Sequence, residues 1–119
     1  LNVAAEAAEG AYVTFFAPDP NQVEGMAEYN EAYRAEFGAD FGAFGGAGAL
    51  ATYVALAALE SCNEAGTLTR ACVVESLSTM ALETTPLGIP VSFDENNQAE
   101  NSQFFIFQVQ DGAFTLLEQ

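Results

Sequence analysis

The chain predicts an α/β fold: one β-strand, three helices, and then an antiparallel β end. Three observations predict it. Ala11 to Phe16 is a run of β-favouring residues closed by Pro18. Three helical patterns lie between Pro20 and Met80. Asp111-Gly112 stands between two apolar, β-favouring runs and is a two-residue hairpin signal.

Tyr12, Val13, Thr14 and the two following Phe give the first strand no polar face, as in a buried parallel strand. Pro18-Asp19-Pro20-Asn21 stops it and opens a helix, with Asp19 or Asn21 as cap and Pro20 in the first turn. That helix runs to about Phe37 and ends at Gly38. Met26, Tyr29, Tyr33 and Phe37 share one of its faces, and the stripe reads as core. Residues 41–59 carry no charge and just reach the minimum length of a membrane span. Their many Gly and Ala point instead to a glycine-rich lead-in at 42–48 and a buried helix over 48–64. After a turn at Ala65-Gly66, Thr69 can cap a third helix to about Met80 that buries Val73 and Leu77.

Thr84-Thr85-Pro86-Leu87-Gly88 is a loop, Ile89 to Phe93 a short strand, and Asp94-Glu95-Asn96-Asn97 a polar tip. Phe104 to Val109 is a strong strand, and Ala113 to Leu117 returns from the hairpin. One strand cannot cover three helices, since each apolar face needs a partner layer. The sequence is therefore expected to be one segment, residues 1–119, of a larger fold. Leu1 in place of an initiator Met agrees with that expectation.

Composition narrows function. The 119 residues are 50% hydrophobic, with ten Phe and four Tyr, enough to build a core. Arg34 and Arg70 are the only basic residues against 17 acids, for a net charge of -15. Such a chain repels phosphate backbones, which excludes nucleic acid as a partner, and also repels anionic membranes. With no His there is no imidazole base and no His-bound metal; with no Lys, no Schiff base. The reading is therefore a non-enzyme without cofactor or metal.

Cys62 and Cys72 stand ten positions apart. Without His they make a poor zinc site, and their spacing is no redox motif. Two readings remain: a disulfide between two helices, which fits an oxidising compartment, or two separate buried thiols in a reduced one. Gly46-Ala47-Gly48-Ala49-Leu50-Ala51 matches a loose dinucleotide fingerprint, but no strand directly precedes it. Asp94 to Glu100 is rich in oxygen ligands but lacks the glycine of a calcium loop, so a solvated tip is the better reading. Glu6 and Glu9 lie on polar faces and form no acid/base dyad.

Taken in order, these segments resemble the leucine/isoleucine/valine-binding type of periplasmic solute-binding protein. The resembling stretches are Glu9-Gly10-Ala11-Tyr12-Val13-Thr14, Tyr33-Arg34-Ala35-Glu36-Phe37-Gly38, Thr52-Tyr53-Val54-Ala55-Leu56, Thr85-Pro86-Leu87-Gly88 with Val91-Ser92-Phe93-Asp94, and Phe105 to Gly112. The resemblance spans essentially the whole chain. It implies the C-terminal portion of a type I periplasmic binding fold: two Rossmann-like lobes, three crossovers, and a ligand held between the lobes. Residues of about 10–85 would belong to the first lobe and about 86–119 to the closing strands of the second.

It also implies a small-molecule ligand of the amino-acid class, delivery to the membrane permease of an ATP-binding-cassette (ABC) transporter, and a secreted, periplasmic or extracellular location, with a lipid anchor as one option in the parent. Phe44, Gly48 and Tyr53 are the residues that the resemblance places against the ligand. Where the family carries a bulky apolar residue this chain has Gly48, so the resemblance does not fix a branched-chain solute. Two other functions stay open: a ligand-sensing receptor ectodomain of the same fold, and an acidic interaction module without a ligand. An isolated chain of this kind is expected to self-associate through its uncovered apolar faces.

Overall fold

A computed structural model describes residues 4–42, 44–100 and 102–117. The expectation drawn from Leu1 lies outside these residues, as do Ala43 and Asn101. In chain order the elements are β1 (Tyr12–Phe15), α1 (Ala27–Phe37), α2 (Gly45–Glu64), α3 (Arg70–Ser78), β2 (Ala81–Leu82), β3 (Val91–Ser92), β4 (Phe105–Gln110) and β5 (Ala113–Leu116). Short 3-10 turns lie at Ala5–Ala8 and Glu24–Met26. They divide into two compact units, residues 1–18 with 102–119, and residues 19–101.

The first unit is a three-stranded antiparallel sheet in the order β1-β4-β5. Asp111 and Gly112 both adopt positive φ, 53° and 75°, which a tight two-residue hairpin between twisted strands requires. The Glu9 carboxylate accepts the N–H of Asp111 at 3.0 Å and that of Gly112 at 3.2 Å, so the turn is also held from a distant part of the chain. Register places Val13 and Leu116 on either side of Phe107, and Phe114 opposite Val109. This face is apolar, and its central Phe107 and Val109 are buried. The opposite face carries Tyr12, Thr14, Ile106 and Gln108. β1 is thus a strand as expected, but it is antiparallel, not a buried parallel one: Tyr12 is 67% exposed.

In the second unit, Asp19 accepts the backbone N–H of Asn21 and the side-chain amides of Asn21 and Gln22, each at 3.0 Å. It thereby closes a separate turn around Pro20 and does not cap α1, which starts only at Ala27. Gly38, at φ 67°, returns its N–H to the Arg34 carbonyl and ends the helix. The stripe expected to be core is only partly so. Met26 is buried and Tyr33 half-buried, while Tyr29 and Phe37 are exposed, Phe37 by 65%. Tyr33 stacks on Phe41 with ring centroids 4.2 Å apart, an aromatic cluster supplied from the helix and its exit loop. Buried on this helix instead is Asn30, whose amide donates to the Pro20 carbonyl at 2.9 Å.

α2 begins at Gly45, three residues before the expected start, and buries only Gly46, Val54, Ala58 and Cys62. These positions form one face, and Leu56 and Leu59 on the others are exposed, so α2 is not buried all round. No helix among the described residues is long and apolar enough to cross a membrane. Thr69 caps α3 by accepting the Cys72 N–H at 3.2 Å, as its position predicted. Val73 and Leu77 reach half-burial there, not full burial. A disulfide joins Cys62 on α2 to Cys72 on α3. By closing a short loop it restricts the unfolded chain by about 2–3 kcal/mol.

The expected three-stranded antiparallel end differs in composition. β3 pairs with β2, a two-residue strand the sequence did not signal, and β1 takes the third place beside β4 and β5. Phe93 bridges to Ala99, so Asp94 to Gln98 is a hairpin tip.

Two glycines probe the packing of this unit. A Cβ at Gly25 would land on the Pro86 carbonyl, whereas one at Gly48 would meet nothing within 4 Å. Gly25→Ala is therefore expected to lose about 1–3 kcal/mol by overpacking against backbone. Gly48→Ala, in open helix, should gain about 0.5–1 kcal/mol. Thermal midpoints check both; an unchanged midpoint for Gly25→Ala would mean that the Pro86 loop gives way.

Candidate functional site

The start of α2 is the first place to look. No side chain caps it; Gly45 donates to the Gly42 carbonyl at 2.8 Å, and packing positions the rest. Gly46 is buried because Pro20 and Leu87 approach to where a Cβ would sit, 3.1–3.3 Å away. That contact fixes the first turn and leaves Phe44 outside it, 68% exposed.

Gly48 lies one turn further on, its N–H bonded to the Phe44 carbonyl at 3.0 Å. It is exposed, with open space over its Cα. Thr52 extends the same face by another turn and donates its hydroxyl to the Gly48 carbonyl at 2.9 Å. Tyr53 is five residues beyond Gly48, roughly 140° around the helix, and half-buried. The structure thus brings Phe44 and Gly48 together and sets Tyr53 on another face. Thr52 was missed; the signal that finds it is the four-residue repeat 44, 48, 52.

The remaining motifs resolve simply. α2 follows a helix and a loop, so the G-x-G-x-x-A run has no strand before it. At the polar tip, the Asp94 carboxylate accepts the N–H groups of Asn96 and Gln98, both at 2.8 Å, and Asn97 takes φ 59°. These bonds to its charged form, that from Gln98 foremost, hold the Asp94 carboxyl below its ordinary range despite some opposing desolvation. The tip is a turn organised by a carboxylate; among the described residues no group of three or more His, Cys, Asp or Glu is placed to hold a metal. Arg34 pairs with Asp40 on the surface. An open depression of about 240 Å³ lined by Val74, Leu77, Ser78, Phe93 and Asn97 is too apolar to grip a polar solute.

This arrangement of strands and helices matches a solved fold. The leucine-binding protein LivK from Thermotoga maritima superposes with a TM-score of 0.72 at 22% identity, over 98% of this chain and 32% of that one. The chain thus has the type I periplasmic-binding-protein fold over a span of about a third of that protein's length. The periplasmic binding protein family profile matches residues 1–113, and the chain belongs to that family. It is a family of binding proteins, not enzymes. A search of curated proteins found no significant match.

Asp94 carries a pH prediction. Its folded carboxyl titrates below the unfolded value of about 3.9, so its contribution to stability is complete above that value and is lost as pH falls through the folded one. In a carboxyl NMR titration the Asp94 midpoint should fall below 3.9, with the Asn96 and Gln98 amides moving in step; a midpoint at or above 3.9 would overturn this.

Proposed function

We propose that this chain is part of a solute-binding protein that works outside the cytoplasmic membrane. It captures an amino acid of the branched-chain type, or a related small polar solute, and passes it to the permease of an ABC importer. The observation that carries this reading is the family match over residues 1–113. The likeness to a leucine-binding protein supports the amino-acid class.

Phe44 and Gly48 face the solute in this reading, because they share an exposed face at a helix start without a side-chain cap. Tyr53 takes part from its own, half-buried face. Gly48 leaves open space over its Cα, so this position does not by itself select a branched-chain solute. Residues of about 10–85 belong to the first lobe in this reading, and about 86–119 to the closing strands of the second.

Thermal unfolding of the longest natural form carrying this sequence, with and without a panel of amino acids, tests the function. A ligand at a hundred times its Kd stabilises by about 2.7 kcal/mol, a shift of several degrees. A shift with one or a few amino acids names the solute. No shift with any of them removes the amino-acid assignment and leaves the family.

The 119-residue chain alone self-associates in this reading, since Tyr12, Phe37, Leu68 and Val74 are exposed. Net charge opposes association, so added salt should strengthen it. Sedimentation velocity is expected to show mass above 12.5 kDa that rises with salt. A folded monomer at all salt concentrations would contradict it.

A further inference from the structure

The two halves of the disulfide occupy opposite environments. Cys62 is 1% exposed and lies in the last turn of α2. That is the negative end of the helix dipole, where a thiolate is disfavoured. Cys72 is half-buried in the first turn of α3, the positive end, two residues after Arg70. The Thr67 hydroxyl also donates to its sulfur at 3.7 Å. The dipole and the hydroxyl both favour negative charge on Cys72, and its partial exposure gives reagents access to it.

We propose that Cys72 is the sulfur through which this disulfide is made and unmade, and that Cys62 is the resolving thiol. The partner is a small or protein disulfide, RSSR. The Cys72 thiolate attacks one of its sulfurs and expels RS⁻, leaving Cys72 in a mixed disulfide with R. The Cys62 thiol then gives its proton to solvent and attacks the Cys72 sulfur. It expels the second RS⁻ and closes the bond between α2 and α3. Two protein thiols are oxidised and one RSSR is reduced to two thiols. Reduction retraces the path: an external thiolate bonds to Cys72, the more accessible sulfur, and Cys62 leaves. Its buried position at the negative end of a helix makes it a poor leaving group, while the better leaving group can be expelled only by attack on the buried sulfur. The folded chain therefore resists reduction by either route.

Trapping the mixed disulfide tests this from both directions. The native oxidised chain is treated with limiting glutathione, quenched with an alkylating agent and mapped by mass spectrometry. Glutathione is expected on the Cys72 peptide and the alkyl group on the Cys62 peptide, and the reverse distribution overturns the proposal. In the other direction, single-cysteine chains are exposed to glutathione disulfide. Cys62→Ser should be captured at Cys72 about tenfold or more faster than Cys72→Ser at Cys62. Denaturant should erase the difference, and Thr67→Val should narrow it. Equal capture rates without denaturant would refute the assignment; the oxidised-chain experiment stands even if removing the bond unfolds the variants.

Discussion

The pairing of β1 with β4 is the constraint on which the remainder of the molecule hangs. Its register sets Tyr12 opposite Gln108 and Phe15 opposite Phe105, across nearly the whole length of the sequence. Closing so long a loop is less prohibitive than it looks, because loop entropy grows only logarithmically with length. The gain is a central strand flanked on both sides. β4 buries Phe107 and Val109 only because β1 and β5 cover its two edges, and the Glu9 carboxylate, just ahead of β1, reaches the turn that starts β5. Residues 19–101 then form an insertion between two paired strands, with both of their ends anchored at one sheet.

Within the insertion, small residues determine how close the elements come. Gly25 passes against the Pro86 carbonyl, and Gly46 lets Pro20 and Leu87 onto the start of α2. Pro20 is bound from the other side by the buried Asn30 amide. Through these contacts a proline turn, a helix start and the Thr84–Gly88 loop converge on one small core. This is why α2 can begin without a capping side chain, and why Phe44 ends up outside the packed turn. Apart from Asp19, which closes the proline turn, the acids among the described residues lie outside that core. They stay solvated and mutually repulsive, with few cations to offset them, so they favour solubility over cohesion.

Legibility in the sequence followed the range of the interaction involved. Features set by a few adjacent residues could be read: the Asp111-Gly112 hairpin, the Thr69 cap, the Gly38 stop and the tip at Asp94. The segments that carry the family likeness could also be read in order. Features set by distant partners could not. Ala11 to Phe16 reads as a strand, but nothing local says that its neighbour is β4. Ala81–Leu82 is too short to signal a strand without β3 beside it. Tyr29 and Phe37 have the spacing of core residues, yet the chain itself supplies no layer to cover them. At the candidate site, Phe44 and Gly48 are one turn apart once α2 is known to begin at Gly45. An expected start at 48 put that turn in a loop and hid Thr52.

The insertion also imposes an order on biosynthesis. Everything needed to build residues 19–101, including both cysteines, is synthesised before the first residue of β4. Within this segment β1 is made well before β4 and has no strand to pair with until β4 follows it. An unpaired apolar strand of this kind is exposed to aggregation until its partner arrives, so β1 is the element of this segment that depends most on shielding during synthesis.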